Sequence, residues 1–332
     1  MMSSIAIPAI LDRLAHVGVD GLPYPNSCQD HDELELCRSW HYRIECREGR
    51  ARLEFDHDQL VPSWIVAETP AVAWEALRTE GYLEIGSTNE CALRRARQGA
   101  SAGTLVFAEA QTAGRGRLGR QWFAPPRGGL CFSLIVCPLT SSSRWPLLTH
   151  VASAALAFAI RELESEDMIP VPLDLELRWP NDVLISGKKA AGILLETVGT
   201  GSSLSAAVVG VGVNVAPGSL PPELQGSAIS LSEAAGVRVP RRRLLVRFLY
   251  HFQLGYELFA RGEHQAILER WKRFSRMWSD TPVWIMEGER TRPGVTAGLT
   301  DEGALRVRGA DGVEEVILAG DVSIRRSQSG ER

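Results

Sequence analysis

Residues 111–122 read QTAGRGRLGRQW: three arginines (Arg115, Arg117, Arg120) alternate with three glycines (Gly114, Gly116, Gly119), and Trp122 follows. Guanidinium groups are permanently charged and grip carboxylate or phosphate oxygens in pairs. Glycines let a backbone turn tightly and approach a ligand with no Cβ in the way. The combination predicts a loop that closes over an anion. No Gly-Lys-Ser/Thr ends the run, so it is not a Walker phosphate loop. On composition alone a solvated basic loop, or an arginine-glycine segment touching nucleic acid, fits equally well.

Three other blocks decide the matter. GSTNE (Gly86 to Glu90) lies upstream; RWPNDVLISGKKAAGILLE (Arg178 to Glu196) and VVGVGVNVAP (Val208 to Pro217) lie downstream. Over roughly residues 80–326, their order, spacing and wording resemble the biotin–protein ligases. Those enzymes form biotinyl-adenylate from biotin and ATP and pass the biotin to a lysine of a carrier protein. The resemblance implies a chemistry with stated physical needs. Activating a carboxylic acid with ATP brings two anions together, and negative charge grows on the α-phosphate in the transition state. Fixed cations and backbone donors around that phosphate accelerate the step. A closing loop also shields the reactive mixed anhydride from water.

Carried over residue by residue, the resemblance implies that Gly114, Arg115, Gly116, Arg117 and Arg120 fold over the adenylate. Lys189, the second lysine of KKAAGIL, matches the family lysine that bridges biotin carboxylate and phosphate, a task suited to a compact charge. Lys188 reads as an exposed hairpin lysine. Ser87, Thr88, Asn89 and Gln111 match positions lining the biotin head-group pocket, where a ureido ring needs both donors and acceptors. Ser87 or Thr88 also suits a helix cap. Trp122 either stacks on adenine or packs the loop base. Asn181 and Asp182 follow a stiffening proline, and Asp182 is a candidate to fix loop groups or to help place the Mg²⁺ that accompanies ATP. Gly192 and Ile193 are expected to wall the biotin pocket. Gly210, Gly212 and Asn214 sit at a strand end that permits close ligand approach, with Asn214 towards the nucleotide. Arg178 stands where the family more often has lysine. No side-chain nucleophile is expected, since the carrier lysine attacks the acyl-adenylate.

The elements that must position these residues read as a mixed α/β domain. TLVFAEAQT is a strand delivering the loop, and Asn89 to Gln98 a helix. LCFSLIVCP is an apolar strand, LLTHVASAALAFAIREL a buried helix, and SAAVVGVGVNVA a further buried strand. AVAWEALR reads as a helix, YLEIGST as a strand running into a turn, and LELRWPNDVLISG with KKAAGILLETV as a hairpin. RRRLLVRFLYHFQLGYELFARG and HQAILERWKRFSRM are amphipathic helices. The tail from Thr281 has short strands punctuated by EGE, DEG and ADG turns, a small-barrel pattern that resembles the family's SH3-like C-terminal domain. The expected fold class is therefore α/β: a mixed-sheet, class II synthetase-like catalytic domain (76–278), an SH3-like β-barrel (279–326) and an N-terminal winged-helix-like remnant (1–75).

The N-terminal stretch departs from the family's DNA-binding winged helix. A hairpin through Arg47-Glu48-Gly49-Arg50 could be a wing, but no second and third helix with a small-residue turn can be found. From Ser27 to Pro62 nine acidic residues face five arginines, whereas a DNA-contacting face should be basic. DNA binding is not expected. Cys28, His31, Cys37, His41 and Cys46 lack the tight pairs of a structural zinc site, so no metal ligand is assigned.

Composition agrees with an ordinary globular enzyme: 45% hydrophobic, 23% charged, net charge −4. The N-terminus lacks a signal-peptide pattern and the longest apolar run is about ten residues, too short for a bilayer. Six cysteines read as reduced thiols, and a cytoplasmic location follows. The expected substrates are biotin and ATP with Mg²⁺, and the expected partner is the biotin carboxyl carrier protein of acetyl-CoA carboxylase. Sheet edges near the loop could also pair two copies into a homodimer. Three alternatives stay open. A lipoate or octanoyl transferase shares the fold type, a biotin-responsive repressor would need basic residues before 75, and a dead paralogue would have lost Lys189 or the arginines.

Overall fold

The computed structural model describes residues 4–18, 22–23, 28–70, 77–200, 203–287, 290–318 and 321–324. In chain order the N-terminal stretch gives β1 (Ile5–Ala6), α1 (Ala9–Val17), β2 (Leu22–Pro23), α2 (Cys28–Ser39), β3 (Ile44–Arg47), β4 (Arg50–Leu53) and α3 (Pro62–Glu68). The central part follows with β5 (Arg78–Ile85), α4 (Thr88–Arg97), β6 (Thr104–Gln111), β7 (Gly129–Val136), α5 (Leu147–Ser165), β8 (Leu175–Arg178), β9 (Asp182–Ile185), β10 (Lys188–Thr200), β11 (Ser203–Asn214), α6 (Leu231–Ala235), α7 (Arg241–Ala260) and α8 (His264–Lys272). The tail holds β12 (Pro282–Glu287), β13 (Arg290–Leu299), β14 (Leu305–Arg308), β15 (Glu314–Ile317) and β16 (Asp321–Ile324).

The central sheet runs β1-β5-β6-β7-β11-β10-β9-β8. β5 and β6 are parallel and the other pairs antiparallel. β7 is buried at every position, as expected of a strand covered on both faces. One face packs on α5, whose small residues Ala152, Ala154, Ala155 and Ala157 let the helix lie close to the sheet and to α7. The other face packs on α4 through Cys91, Ala92 and Ala96. The expected strands and amphipathic helices appear where the periodicity put them, but LELRWPNDVLISG folds into two strands, β8 and β9, that pair with each other before β9 pairs with β10. The tail forms the five-stranded antiparallel sheet β15-β14-β13-β12-β16, whose Val283, Ile285, Leu305 and Val307 join the main core. Of the expected helix over AVAWEALR, residues 71–76 lie outside the described residues, and Arg78 opens β5 instead.

The N-terminal stretch does contain the expected hairpin. β3 and β4 pair from Ile44↔Leu53 to Arg47↔Arg50, and Glu48 and Gly49 both take positive φ, the geometry of a tight hairpin turn. With β2 they form the order β2-β4-β3. Between β2 and the hairpin the described residues hold a single helix, α2. The stretch is also sewn into the central core: β1 caps the edge of β5, and Leu60 and Ile65 belong to the main hydrophobic cluster. Of the zinc candidates, Cys37 is core and Cys46 accepts from Arg38; among the described residues no group of three or more acids, histidines or cysteines could hold a metal.

The seam between α5, α8 and the C-terminal sheet is built on His150. Neither of its ring nitrogens has a hydrogen-bond partner. The ring meets Trp271 with centroids 5.2 Å apart, and a Cβ on Gly303 would come within 2.7 Å of it. Burial pulls its pKa down from 6.5 to about 4. As pH falls, the unfolded chain therefore takes up this proton before the folded one. The stability contributed by neutral His150 is whole above about pH 6.5 and is lost progressively towards about pH 4. Urea unfolding should show about 2 kcal/mol lost from this group between pH 7 and pH 5. His150→Leu should flatten that slope; an unchanged slope would contradict the assignment.

Candidate active site

The site lies where β5, β6 and β10–β11 deliver their ends to one cavity of about 380 Å³. Its deep end is polar but uncharged. β5 ends at Ile85, and Ser87 caps α4, its Oγ accepting from the Glu90 amide. The two candidates for the cap thus divide their work, because Thr88 points elsewhere. Its N–H (2.8 Å) and hydroxyl (3.1 Å) both donate to Gln111 Oε1 at the end of β6. Ser133 donates to Asn89 Oδ1 (3.0 Å) and lies 2.9 Å from Thr88 Oγ1. Asn89 Nδ2 in turn donates to Glu196 Oε2 at 2.5 Å. A Cβ on Gly210 would fall 2.2 Å from Asn89 Oδ1, so β11 must carry glycine there for the amide to lie on the strand.

The arginine loop returns on itself. Gln111 N–H donates to Ala124 O (3.0 Å), Trp122 N–H to Gly114 O (2.9 Å) and Gly116 N–H to Arg120 O (2.7 Å). Gly114 is required by the second of these: a Cβ would meet Trp122 O at 2.4 Å. The Trp122 ring packs on the β10–β11 pair, where Cβ atoms on Gly212 and Gly192 would approach it to 2.4 and 3.4 Å. Arg117 Nη1 donates to Asn181 Oδ1 (3.0 Å), and Asn181 Nδ2 to Ile193 O (2.8 Å). The loop is thereby held closed against the turn between β8 and β9.

Lys189 sits beside a register shift within the β9–β10 pair, between Lys189↔Leu184 and Ala191↔Val183. Its backbone is gripped by Ser227 O (2.8 Å) and by the Ile229 N–H (3.0 Å), and Asn214 Nδ2 reaches Lys189 O at 3.3 Å. Its Nζ is left to the cavity, 2.7 Å from Asp182 Oδ1 and 5.8 Å from the Trp122 ring centroid. Five cations line the cavity (Arg115, Arg117, Arg120, Arg178, Lys189) against one carboxylate, Asp182. Such an excess in a recess attracts and stabilises anionic ligands.

Of the residues expected from the sequence, Ser87, Thr88, Asn89, Gln111, Arg115, Gly116, Arg117, Arg120, Trp122, Asn181, Lys189, Gly192, Ile193, Gly212 and Asn214 all line this one cavity. Gly114 shapes the loop behind it. Arg178 lines it too, its Nε buried without a hydrogen-bond partner. Sequence reasoning gave no role to the lining residues Ser133, Gln121 and Ser227, nor to Glu196, which holds Asn89 from behind. Ser133 is the lone hydroxyl in the buried strand GLCFSLIV, and Glu196 is a carboxylate closing the apolar run GILL; both were visible anomalies.

This fold is that of the biotin and lipoate ligases. The model of the Biotin/lipoate A/B protein ligase family matches residues 83–214, and that of the Biotin protein ligase C terminal domain matches residues 286–325. The chain is 33% identical to a biotin–[acetyl-CoA-carboxylase] ligase of Paracoccus denitrificans, over 71% of this chain and 96% of that protein. It is 32% identical to the bifunctional ligase/repressor BirA of Bacillus subtilis, over 71% of this chain and 70% of that one. A biotin protein ligase from Aquifex aeolicus, solved with biotin and ATP, superposes with a TM-score of 0.62 at 28% identity, covering 75% of this chain and 99% of that one. The chain belongs to the biotin protein ligase family.

Proposed function

We propose that the chain is an ATP-dependent biotin–protein ligase acting on the biotin carboxyl carrier protein of a carboxylase. The observation that carries this reading is the division of one cavity into a neutral, amide- and hydroxyl-lined end and a cationic end joined at Lys189. A ureido ring fits the first, hydrogen-bonding to the Ser87, Thr88, Asn89 and Gln111 set. The valeryl carboxylate and the nucleotide phosphates fit the second. A biotin carboxylate oxygen attacks the α-phosphorus, pyrophosphate leaves, and the carrier lysine amine then attacks the acyl carbon and expels AMP. Arg115, Arg117 and Arg120 stabilise charge on the transferring phosphate, and Lys189 spans the two anions. Mg²⁺ would come with ATP, and Asp182, the one carboxylate lining the cavity, would help hold an ion that keeps mostly phosphate and water ligands.

The N-terminal stretch takes no part in DNA binding on this reading, being acidic and holding, among the described residues, one helix between β2 and the hairpin. Among the described residues no helix is long and apolar enough to cross a membrane, and the described cysteines are free thiols, which suits a cytoplasmic enzyme. The decisive experiment is exchange of pyrophosphate into ATP with biotin, with lipoate and with neither. Biotin-dependent exchange is expected. Exchange with lipoate alone would move the chain to the sister activity, and none with either, from folded protein, would overturn the reading.

A further inference from the structure

Arg127 is a non-glycine residue held at φ +55°, although Gly128 beside it could have taken the left-handed turn at no steric cost. A strained backbone in such a place calls for a reason in the side chain. The guanidinium supplies one. Its Nη1 donates to Trp40 O (3.2 Å) and its Nη2 to Asp58 Oδ2 (3.0 Å), both in the N-terminal stretch, while its backbone N–H donates to Glu109 O (3.0 Å) on β6. Arg127 stands at the far root of the arginine loop, three residues beyond Ala124, which closes the loop onto Gln111. Pro125 and Pro126 lie between, and their fixed φ makes the link stiff.

We propose that Arg127 is a positioning residue through which the N-terminal stretch anchors the second root of the arginine loop. The proposal rests on the ligase reading above. A loop tied at both roots has fewer open conformers to lose when it closes, so closure costs less entropy and lasts longer. The effect falls on retention of the adenylate rather than on its formation, because Arg127 does not line the cavity. The clamp can be removed without orphaning a charge: Asp58 keeps Arg241 (3.0 Å) and Arg238 (2.6 Å).

Two variants of the full chain test this. Arg127→Gly removes the guanidinium and relieves the positive φ; Arg127→Lys keeps the charge but loses the fork to two acceptors. Each is loaded with labelled biotinyl-adenylate, and three quantities are read: its escape rate in a chase, its single-turnover formation rate, and tryptic cleavage at the loop arginines. Escape from Arg127→Gly should rise about tenfold or more, with ligand-induced tryptic protection lost and formation within about threefold of wild type. Arg127→Lys should fall between. Adenylate retained as in wild type, with protection intact, overturns the anchor. If Arg127→Gly fails to fold, Arg127→Lys decides by the same readings. Should wild type itself make no adenylate from biotin and ATP, it is the ligase reading that falls; retention unchanged in the variants, with wild type active, sinks the anchor alone.

Discussion

Lys189→Ala should lower biotin-dependent adenylation by about 10²–10³-fold, or about 3–4 kcal/mol of transition-state stabilisation, while leaving the protein folded. The magnitude is that of one preorganised donor removed from developing charge. Lys189 rides on a strand of the central sheet, its backbone is held on both sides by hydrogen bonds, and its Nζ is the cavity cation paired with Asp182. The loop arginines can share their work among three positions; Lys189 has no such backup. The fold should survive because its side chain is about one-third exposed and its partner Asp182 is also partly solvated. Lys189→Arg should recover little, since a planar fork cannot occupy the place of a point charge between two anions. The KM for biotin should rise as kcat falls, because a bridging cation touches the ground-state carboxylate as well as the transition state. Pyrophosphate exchange measured against biotin concentration separates the two. A variant with kcat intact would remove Lys189 from the chemistry.

The parts of this site that could be read from the chain are those whose chemistry is local. GRGRLGR, KKAAGIL and GVGVN carry their glycines and charges within a few residues, so their backbone needs and ligand preference show in one line of sequence. What escaped was assembled from afar. Ser133 and Glu196 complete the Asn89 network from strands 44 and 107 residues away. The N-terminal stretch was the hardest to place because its reason for existing is likewise non-local. Its acidic character, which argues against DNA, has a structural destination in part: Asp58 meets an arginine on a helix 183 residues later. Hydrophobic periodicity predicts which face of α7 is buried but not that Arg241 and Arg242 are buried with it. Those two arginines are among the largest fully buried side chains, and only their partners make that burial affordable.

Arg241→Met should therefore cost about 3–5 kcal/mol of stability at pH 7, the range for breaking one side of a buried ion network. Arg241 donates to Asp58 Oδ1 (3.0 Å) and Glu109 Oε2 (2.5 Å), and Tyr42 Oη bonds the same Glu109 at 3.2 Å. N-terminal stretch, β6 and α7 thus meet at one guanidinium. Burial alone would raise the pKa of Asp58, but Arg241 and then Arg238 outweigh it and hold the carboxyl at about 2. In wild type this contribution is present above about pH 4 and is lost as pH falls towards about 2. In the variant the balance inverts. Asp58 keeps its burial but loses its main cation, so its pKa rises and a proton can replace the missing partner. The deficit between variant and wild type should then shrink as pH is lowered from 7 to 4.5, with His150 common to both and cancelling in the difference. Urea midpoints of the two proteins at both pH values measure it. A deficit that stays constant would mean that lost packing, not the loss of the cation that Asp58 and Glu109 share, is the cost of removing Arg241.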